Sequence, residues 1–475
     1  MHIEHPPELT WVSRPAQQQP CWPDPVSLQH VRDQLAASPP LVLAQECDLL
    51  TQRLAAACRG EAFLLQGGDC AETFAQLDAA TIHSKITTLL QMATVLSYGA
   101  ALPVVKVGRL AGQYAKPRSQ PTETRDGITL PAYRGDAVNA REFTRAGRTA
   151  DPQRLLHTYQ ASAATLNLAR SFLGNGLADL RRVHLRNQDF AACSPSHPRY
   201  AALTGQVEQA FRFMDACGAT PQRAYAAEFF VSHEGLLLDY EAPLTRAGRT
   251  AGPLYNVGSH MLWLGDRTRG LGHAHVAYFA SIRNPVAVKL GPTATPDDAL
   301  ALIDKLNPDQ QPGRLTFITR FGASHVRDKL PGLVEKVTAS GSPVVWVCDP
   351  MHGNTQVTAD KVKTRDVDDI LDEVTGFFEV HRELGTHPGG IHVELTGTDV
   401  TECLGGSHPI TPADLHSRYE SGCDPRLNHR QALDLAFHVA DLCLRHRPPQ
   451  PEQVSRSAQP NRPVPLQRPA KGELR

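Results

Sequence analysis

Three features of the 475-residue sequence predict a (β/α)8 barrel, an α/β fold. Eight short apolar runs, rich in β-branched residues, alternate with helical patterns. From the third run onward they recur at roughly 25–45 residues, the length of a βα unit. Each run also stops in a polar or ionisable residue. The strands of a parallel barrel end this way at the mouth that carries chemistry.

Residues 1–60 read as an N-terminal arm. A proline- and glutamine-rich stretch over 14–25 precedes a helix at 28–35 and another at 45–58, where Leu49, Leu50, Leu54 and Ala55 recur at helical spacing. The arm is expected to pack on the same subunit or on a partner. The barrel proper spans 61–446. Its strands fall at 62–70, 103–109, 226–234, 261–267, 285–290, 315–320, 343–348 and 390–396. Helices are expected at 82–96, 296–306, 328–339, 367–384 and 428–445, the last opening at Asn428 as N-cap. Strands two and three stand too far apart for one βα unit. Residues 120–222 therefore read as an inserted loop and helical region, with a polar loop over 114–148 and helices at 153–173 and 200–217. Residues 447–475, rich in Pro, Gln, Arg and Ser, predict a disordered tail.

Lys plus Arg is 48 and Asp plus Glu is 49, a net charge of −1. That balance argues against nucleic acid or an anionic membrane as a global partner. No apolar run reaches the length of a membrane span, and the first residues do not read as a signal peptide. The ten cysteines form no C-x-x-C pair, so a disulfide framework is not expected and the compartment is expected to be the reduced cytoplasm. Most cysteines, Cys217 and Cys348 among them, are expected to act as small buried hydrophobes.

The strand ends read Cys70, Arg109, His233/Glu234, Arg267, Lys289, Arg320, His352 and Glu394. Arg109, Arg267, Lys289 and Arg320 are cations on one rim. Gathered cations repel one another unless an anion joins them, so the set implies a substrate carrying several negative charges. Cys70, His352 and Glu394, with Asp424 from the segment before the last helix, form a second set. A thiol, an imidazole and two carboxylates suit a divalent transition metal such as Mn2+, Fe2+, Co2+ or Zn2+. Lys116, Arg118 and Ser119, stiffened by Pro117, offer a phosphate clamp. Glu234 and the 363–365 cluster are candidates for activating water, although solvated loop charge is the expected role of Arg365.

Several long motifs occur in one order: Gly67-Gly68-Asp69-Cys70-Ala71-Glu72-Thr73-Phe74, Lys116-Pro117-Arg118-Ser119, Val288-Lys289-Leu290-Gly291-Pro292, Thr319-Arg320-Phe321-Gly322, Asp349-Pro350-Met351-His352-Gly353-Asn354-Thr355 and Gly390-Ile391-His392-Val393-Glu394. In these the chain resembles the class II (plant-like, type II) 3-deoxy-D-arabino-heptulosonate 7-phosphate (DAHP) synthases, from about residue 61 to 444. The resemblance implies condensation of phosphoenolpyruvate with D-erythrose 4-phosphate and release of phosphate, the first step of the shikimate pathway. It implies that Arg267, Lys289 and Arg320 hold phosphoenolpyruvate, and that Arg109 lies close to both substrates. Lys116, Arg118 and Ser119 would hold the erythrose phosphate, and Cys70, His352, Glu394 and Asp424 would be the metal ligands. It also implies a homo-oligomer with aromatic feedback sites, and chorismate mutase as a further partner.

One departure stands in Gly265-Asp266-Arg267, where the family leads one to expect Glu before the arginine. It leaves room for a secondary-metabolism paralogue such as an aminoDAHP synthase. A non-catalytic regulatory subunit is the alternative from another class, and the complete ligand and cation sets argue against it.

Overall fold

The computed structural model describes residues 11–194, 197–218, 228–248 and 252–446. The tail expected at 447–475 lies outside them. Eight parallel strands close a barrel: β1 (Phe63–Gly68), β2 (Val104–Arg109), β3 (Phe229–Glu234), β4 (Met261–Leu264), β5 (Val286–Leu290), β6 (Leu315–Thr319), β7 (Val345–Cys348) and β8 (Gly390–Glu394). Each pairs with its neighbours in sequence, and β1 closes on β8. The (β/α)8 architecture read from the sequence is the one observed.

The strands bury both faces, which is why they read as near-continuous apolar runs. Their period of two still sorts the residues. Trp346 and Cys348 of β7 face the core shared with the outer helices, whereas Val345 and Val347 face the lumen. Leu64, Val105, Val107, Phe230, Met261, Trp263, Ala287 and Ile318 share that lumen. Two residues further along each strand, the same parity sends Gln66, Arg109, Ser232, Lys289 and Arg320 inward at or above the apolar layer.

The second helix of the supposed arm belongs to this interior. Helix Ala44–Cys58 packs Leu50, Leu54 and Ala57 onto Leu64, Val105 and Val347, closing the N-terminal end of the barrel. It serves its own subunit as a floor. The preceding helix, Pro25–Ala37, is capped by Asp24, whose carboxylate accepts N–H bonds from Val26 and Ser27. Its Val31 and Leu35 pack against Tyr114 and Leu237.

Between β2 and β3 lie a hairpin (Thr122–Arg125 with Ile128–Pro131) and the helices Gln153–Phe172, Leu180–Cys193 and His197–Ala216. The sequence reading missed the middle helix and also Ala274–Ser281 after β4. The outer helices otherwise fall where expected. Helix Pro296–Leu306 opens on a capping box of Thr295 and Asp298. Asn428 caps the last helix, accepting from the Gln431 N–H at 2.9 Å. Cys348 is buried as expected, but Cys217 is exposed, because it follows the end of helix His197–Ala216 instead of packing inside it.

The floor has a direct test. Leu54→Ala removes a fully buried side chain and is expected to cost about 2–5 kcal/mol in denaturant unfolding. Val26→Ala, at an 80% exposed position, is expected to change stability by less than about 0.5 kcal/mol.

Candidate active site at the barrel mouth

The site is built on Glu394, the last residue of β8, which has no solvent exposure. Its Oε1 accepts from Arg109 Nη2 at 3.0 Å and lies 3.0 Å from His352 Nε2 and 3.3 Å from Lys116 Nζ. Its Oε2 accepts from Arg365 Nη1 at 2.9 Å. Burial works against the charge, but His352, Lys116 and Arg365 together hold the carboxyl well below its ordinary value.

Beside it stands a convergent donor set. Cys70 Sγ and carboxylate oxygens of Glu394 and Asp424 lie within 4.8 Å of one another. They already surround a positive charge: Lys116 Nζ is 2.6 Å from Cys70 Sγ and 2.5 Å from Asp424 Oδ2. Burial opposes the ammonium, yet Asp424, Cys70 and Glu394 raise it well above its ordinary value. Burial first, and then Cys423, Glu394 and Asp424, push the Cys70 thiol well above its own. A thiol and two carboxylates around a cation fit a divalent transition metal, which would take the sulfur as thiolate. His352 reaches this set only through Glu394. Its Nδ1 is 2.7 Å from Asp349 Oδ2, which turns Nε2 toward the cluster, the orientation a metal-ligating imidazole takes.

The rim cations are each anchored. Lys289 donates to Asp349 Oδ2 at 2.8 Å, and burial lowers its ammonium against the pull of that carboxylate. Arg320 donates to Asp266 Oδ2 at 3.1 Å and to the His352 carbonyl at 2.9 Å. Arg267, more exposed, donates to Ser119 Oγ at 2.7 Å. Arg118 turns to Glu123 of the hairpin at 3.3 Å. Lys116 sits in the Cys70–Glu394–Asp424 cluster, apart from the Arg118 side chain with which the sequence grouped it. Self-repulsion among the rim cations is thus largely answered by protein carboxylates, so repulsion alone does not demand a bound anion.

Glu234 completes the wall. It is half-buried, and its Oε1, shielded from solvent, has no hydrogen-bond partner among the described residues. Burial raises its pKa, partly offset by Lys289, Lys116, Arg109 and Arg267. His233, its neighbour at the strand end, is buried and spent on Glu241 at 2.8 Å.

Arg365 corrects the sequence reading. It is fully buried, not solvated, and bonds Glu394, the Pro425 carbonyl and Thr355 Oγ1. Its neighbour Lys363 is the exposed one, paired with Asp424 at 3.0 Å. Asp349, Gln66 and His392 were also missed as site residues. The parity of their strands was the available signal.

A parallel barrel whose mouth gathers cations around a thiol–carboxylate centre defines an α/β barrel enzyme for anionic substrates, with a seat for a cation. The sequence model of the Class-II DAHP synthetase family matches residues 7–440. The chain belongs to that family. It is 60% identical over 433 residues to the phospho-2-dehydro-3-deoxyheptonate aldolase of Streptomyces coelicolor, covering 91% of this chain and 96% of that one. It is 50% identical over 436 residues to the phospho-2-dehydro-3-deoxyheptonate aldolase AroG of Mycolicibacterium smegmatis, covering 91% and 93%.

Arg365→Met is expected to cost about 3–5 kcal/mol of unfolding free energy, because it strips a partner from a carboxylate with no access to water. Lys363→Ala, which breaks the exposed pair with Asp424, is expected to cost under about 1 kcal/mol. Equal losses in urea titrations would contradict this assignment of burial.

Proposed function

We propose that the protein condenses phosphoenolpyruvate with D-erythrose 4-phosphate and water, giving DAHP and phosphate. The observation that carries this reading is the meeting of anchored cations and the Cys70–Glu394–Asp424 set at one barrel mouth, in a chain of this family. Two phosphates and a carboxylate must be bound together, and Arg and Lys on rigid strand ends suit both. Among the described residues, no helix is long and apolar enough to cross a membrane.

In this reading Lys289, Arg320 and Arg267 hold phosphoenolpyruvate. Each can exchange part of its protein partnership for a phosphate or carboxylate oxygen. Arg109, fixed by Glu394, faces both substrates. Arg118 and Ser119 receive the erythrose phosphate, with Lys116, now beside Cys70, Glu394 and Asp424, at its inner end. Cys70, His352, Glu394 and Asp424 would hold that metal, Mn2+ foremost. When bound, it supplies Lewis acidity to the aldehyde oxygen, where charge develops as the carbon–carbon bond forms.

The enol carbon of phosphoenolpyruvate attacks the aldehyde, water adds at C2, and the C2–O bond to the phosphate then breaks; of the water's two protons, one ends on the former aldehyde oxygen and one on the phosphate. Glu234 is suited to take a proton from that water, standing half-buried among cations with one oxygen unpartnered. Lys289, its ammonium lowered by burial, is suited to return a proton as phosphate leaves.

The test is phosphate release by the purified chain from the two substrates with Mn2+, with product mass measured alongside. Release of one phosphate per DAHP, loss of activity with chelator and loss of metal binding in Cys70→Ala are expected. Full activity in excess chelator would remove the metal from the reading. No phosphate release with any divalent metal would overturn the activity.

A further inference from the structure

Above the apolar floor, the barrel lumen holds three polar side chains with no exposure: Gln66, Ser232 and His392. They belong to β1, β3 and β8, and the strand register sets Gln66 directly beside His392. Their hydrogen bonds form one connected path. Arg109 Nη1 meets His392 Nε2, and His392 Nδ1 lies 2.8 Å from Gln66 Oε1. Gln66 Nε2 donates to Ser232 Oγ at 2.9 Å, and Ser232 Oγ donates to the Gly108 carbonyl at 3.1 Å. The path leaves β2 at Arg109, crosses three strands and returns to β2 one residue earlier.

Its direction is forced. A guanidinium only donates, so His392 Nε2 must be the accepting nitrogen and Nδ1 must carry the proton. Gln66 therefore accepts through Oε1 and has its amide N–H left for Ser232. The serine proton is then committed to a backbone carbonyl, which cannot pass it on. Reversal at any link would set two donors face to face in a dry interior.

The Trp263 ring stands edge-on to His392 at 5.2 Å between centroids, and Arg109 Cζ lies 4.9 Å from the same ring. Arg109 Nε donates to the Asp69 carbonyl, and Nη2 to the Cys70 carbonyl and Glu394. Of its five N–H groups these bonds and the His392 bond use four, leaving one on Nη1.

We propose that His392, through the one-way chain of Gln66 and Ser232, is a positioning residue that orients the Arg109 guanidinium so that its remaining Nη1–H meets substrate. This rests on the reading of Arg109 as a substrate-holding group. The chain moves no proton in turnover. Its work is to keep Nε2 an acceptor and the arginine in one rotamer.

The experiment compares His392→Leu with His392→Gln, whose amide oxygen can accept in place of Nε2, in the wild-type and Arg109→Lys backgrounds. The holoenzyme is assayed for KM and kcat with phosphoenolpyruvate, and Co2+ affinity is read from the cysteine-to-metal absorption. Loss of a buried bond to a charged group predicts a rise in KM of about ten- to a hundredfold in His392→Leu. Co2+ affinity is expected to be retained, and His392→Gln to recover most of the loss. In the Arg109→Lys background His392→Leu is expected to add little. An equal rise in both backgrounds, or a loss of Co2+ affinity matching the rise in KM, would overturn the proposal.

A second readout needs no turnover. Nitrogen-15 shifts of labelled imidazoles, with the His392 signal assigned by its disappearance in His392→Gln, are expected to show Nδ1 protonated and Nε2 bare. The opposite tautomer sinks the chain. If His392→Leu does not fold, Gln66→Met, which removes the acceptor one link away, is expected to raise KM in the same direction, and an unchanged KM counts against the chain. An unchanged KM in Arg109→Lys alone would instead overturn the substrate role of Arg109, leaving the tautomer to judge the chain.

Discussion

One buried negative charge organises the barrel mouth. Glu394 cannot stay ionised without water unless cations and donors replace the solvent, because an unpaired buried carboxylate costs several kcal/mol. Those replacements come from segments far apart in the chain. Arg109 ends β2, Lys116 follows in the next loop, His352 lies just beyond β7, and Arg365 follows the small hairpin Gln356–Val357 with Lys363–Thr364. Meeting the demands of one carboxylate therefore ties the chain after β2 and the connection after β7 to the end of β8. The same act brings Cys70 and Asp424 to Lys116. The chemistry of the site is a by-product of satisfying Glu394.

Much of this was legible in the sequence, and for a physical reason. A parallel strand alternates strictly, so Val105 and Val107 on the lumen face send Arg109 to the same face, and Ala287 does so for Lys289. Apolar runs ending in ionisable residues were enough to predict both the barrel and its rim. What escaped has equally definite causes. Arg365 sits in a polar loop, and only later chain buries it: Leu404 N donates to its carbonyl at 2.8 Å, and Thr364 Oγ1 donates to the Glu402 carbonyl at 2.9 Å. Helix Leu180–Cys193 was missed because its inward face carries polar residues, His184 and Asn187. Asn187 takes a hydrogen bond from Gln91 instead of making apolar contacts.

The loops after β6 and β7 are held by a different device. Glu373, on helix Val367–Glu383, accepts the N–H groups of Phe321 and Gly322 at 2.8 Å through one oxygen and Asn354 Nδ2 at 2.8 Å through the other. Asn354 in turn accepts from Ala323 N at 3.0 Å. The two loops touch backbone to backbone. A Cβ on Gly353 would lie 2.2 Å from Gly322 N, and Gly322 itself has φ +86°. The glycines of the Phe-Gly and His-Gly motifs are thus steric requirements, and they bring Arg320 close enough to bond the His352 carbonyl.

That proximity gives Asp266 its meaning. It was the one motif position where the sequence departed from expectation, with the shorter acid before Arg267. Its Oδ2 takes Arg320, while Oδ1 takes Arg269 Nε at 2.9 Å and Gly291 N at 3.2 Å. Little room remains, since a Cβ on Gly291 would lie 2.7 Å from Asp266 Oδ2 and 3.0 Å from Arg320 Nη1. A longer acid in the same frame would have to push Arg320 outward or give up the Gly291 N–H. The length of residue 266 therefore sets how far Arg320 stands from the β5 end, and so the width of the rim beside Lys289. The number of rim cations follows from the barrel, but their spacing follows from their anchors. Asp266, Asp349 and Glu394 are thus as much part of the mouth as the cations they hold.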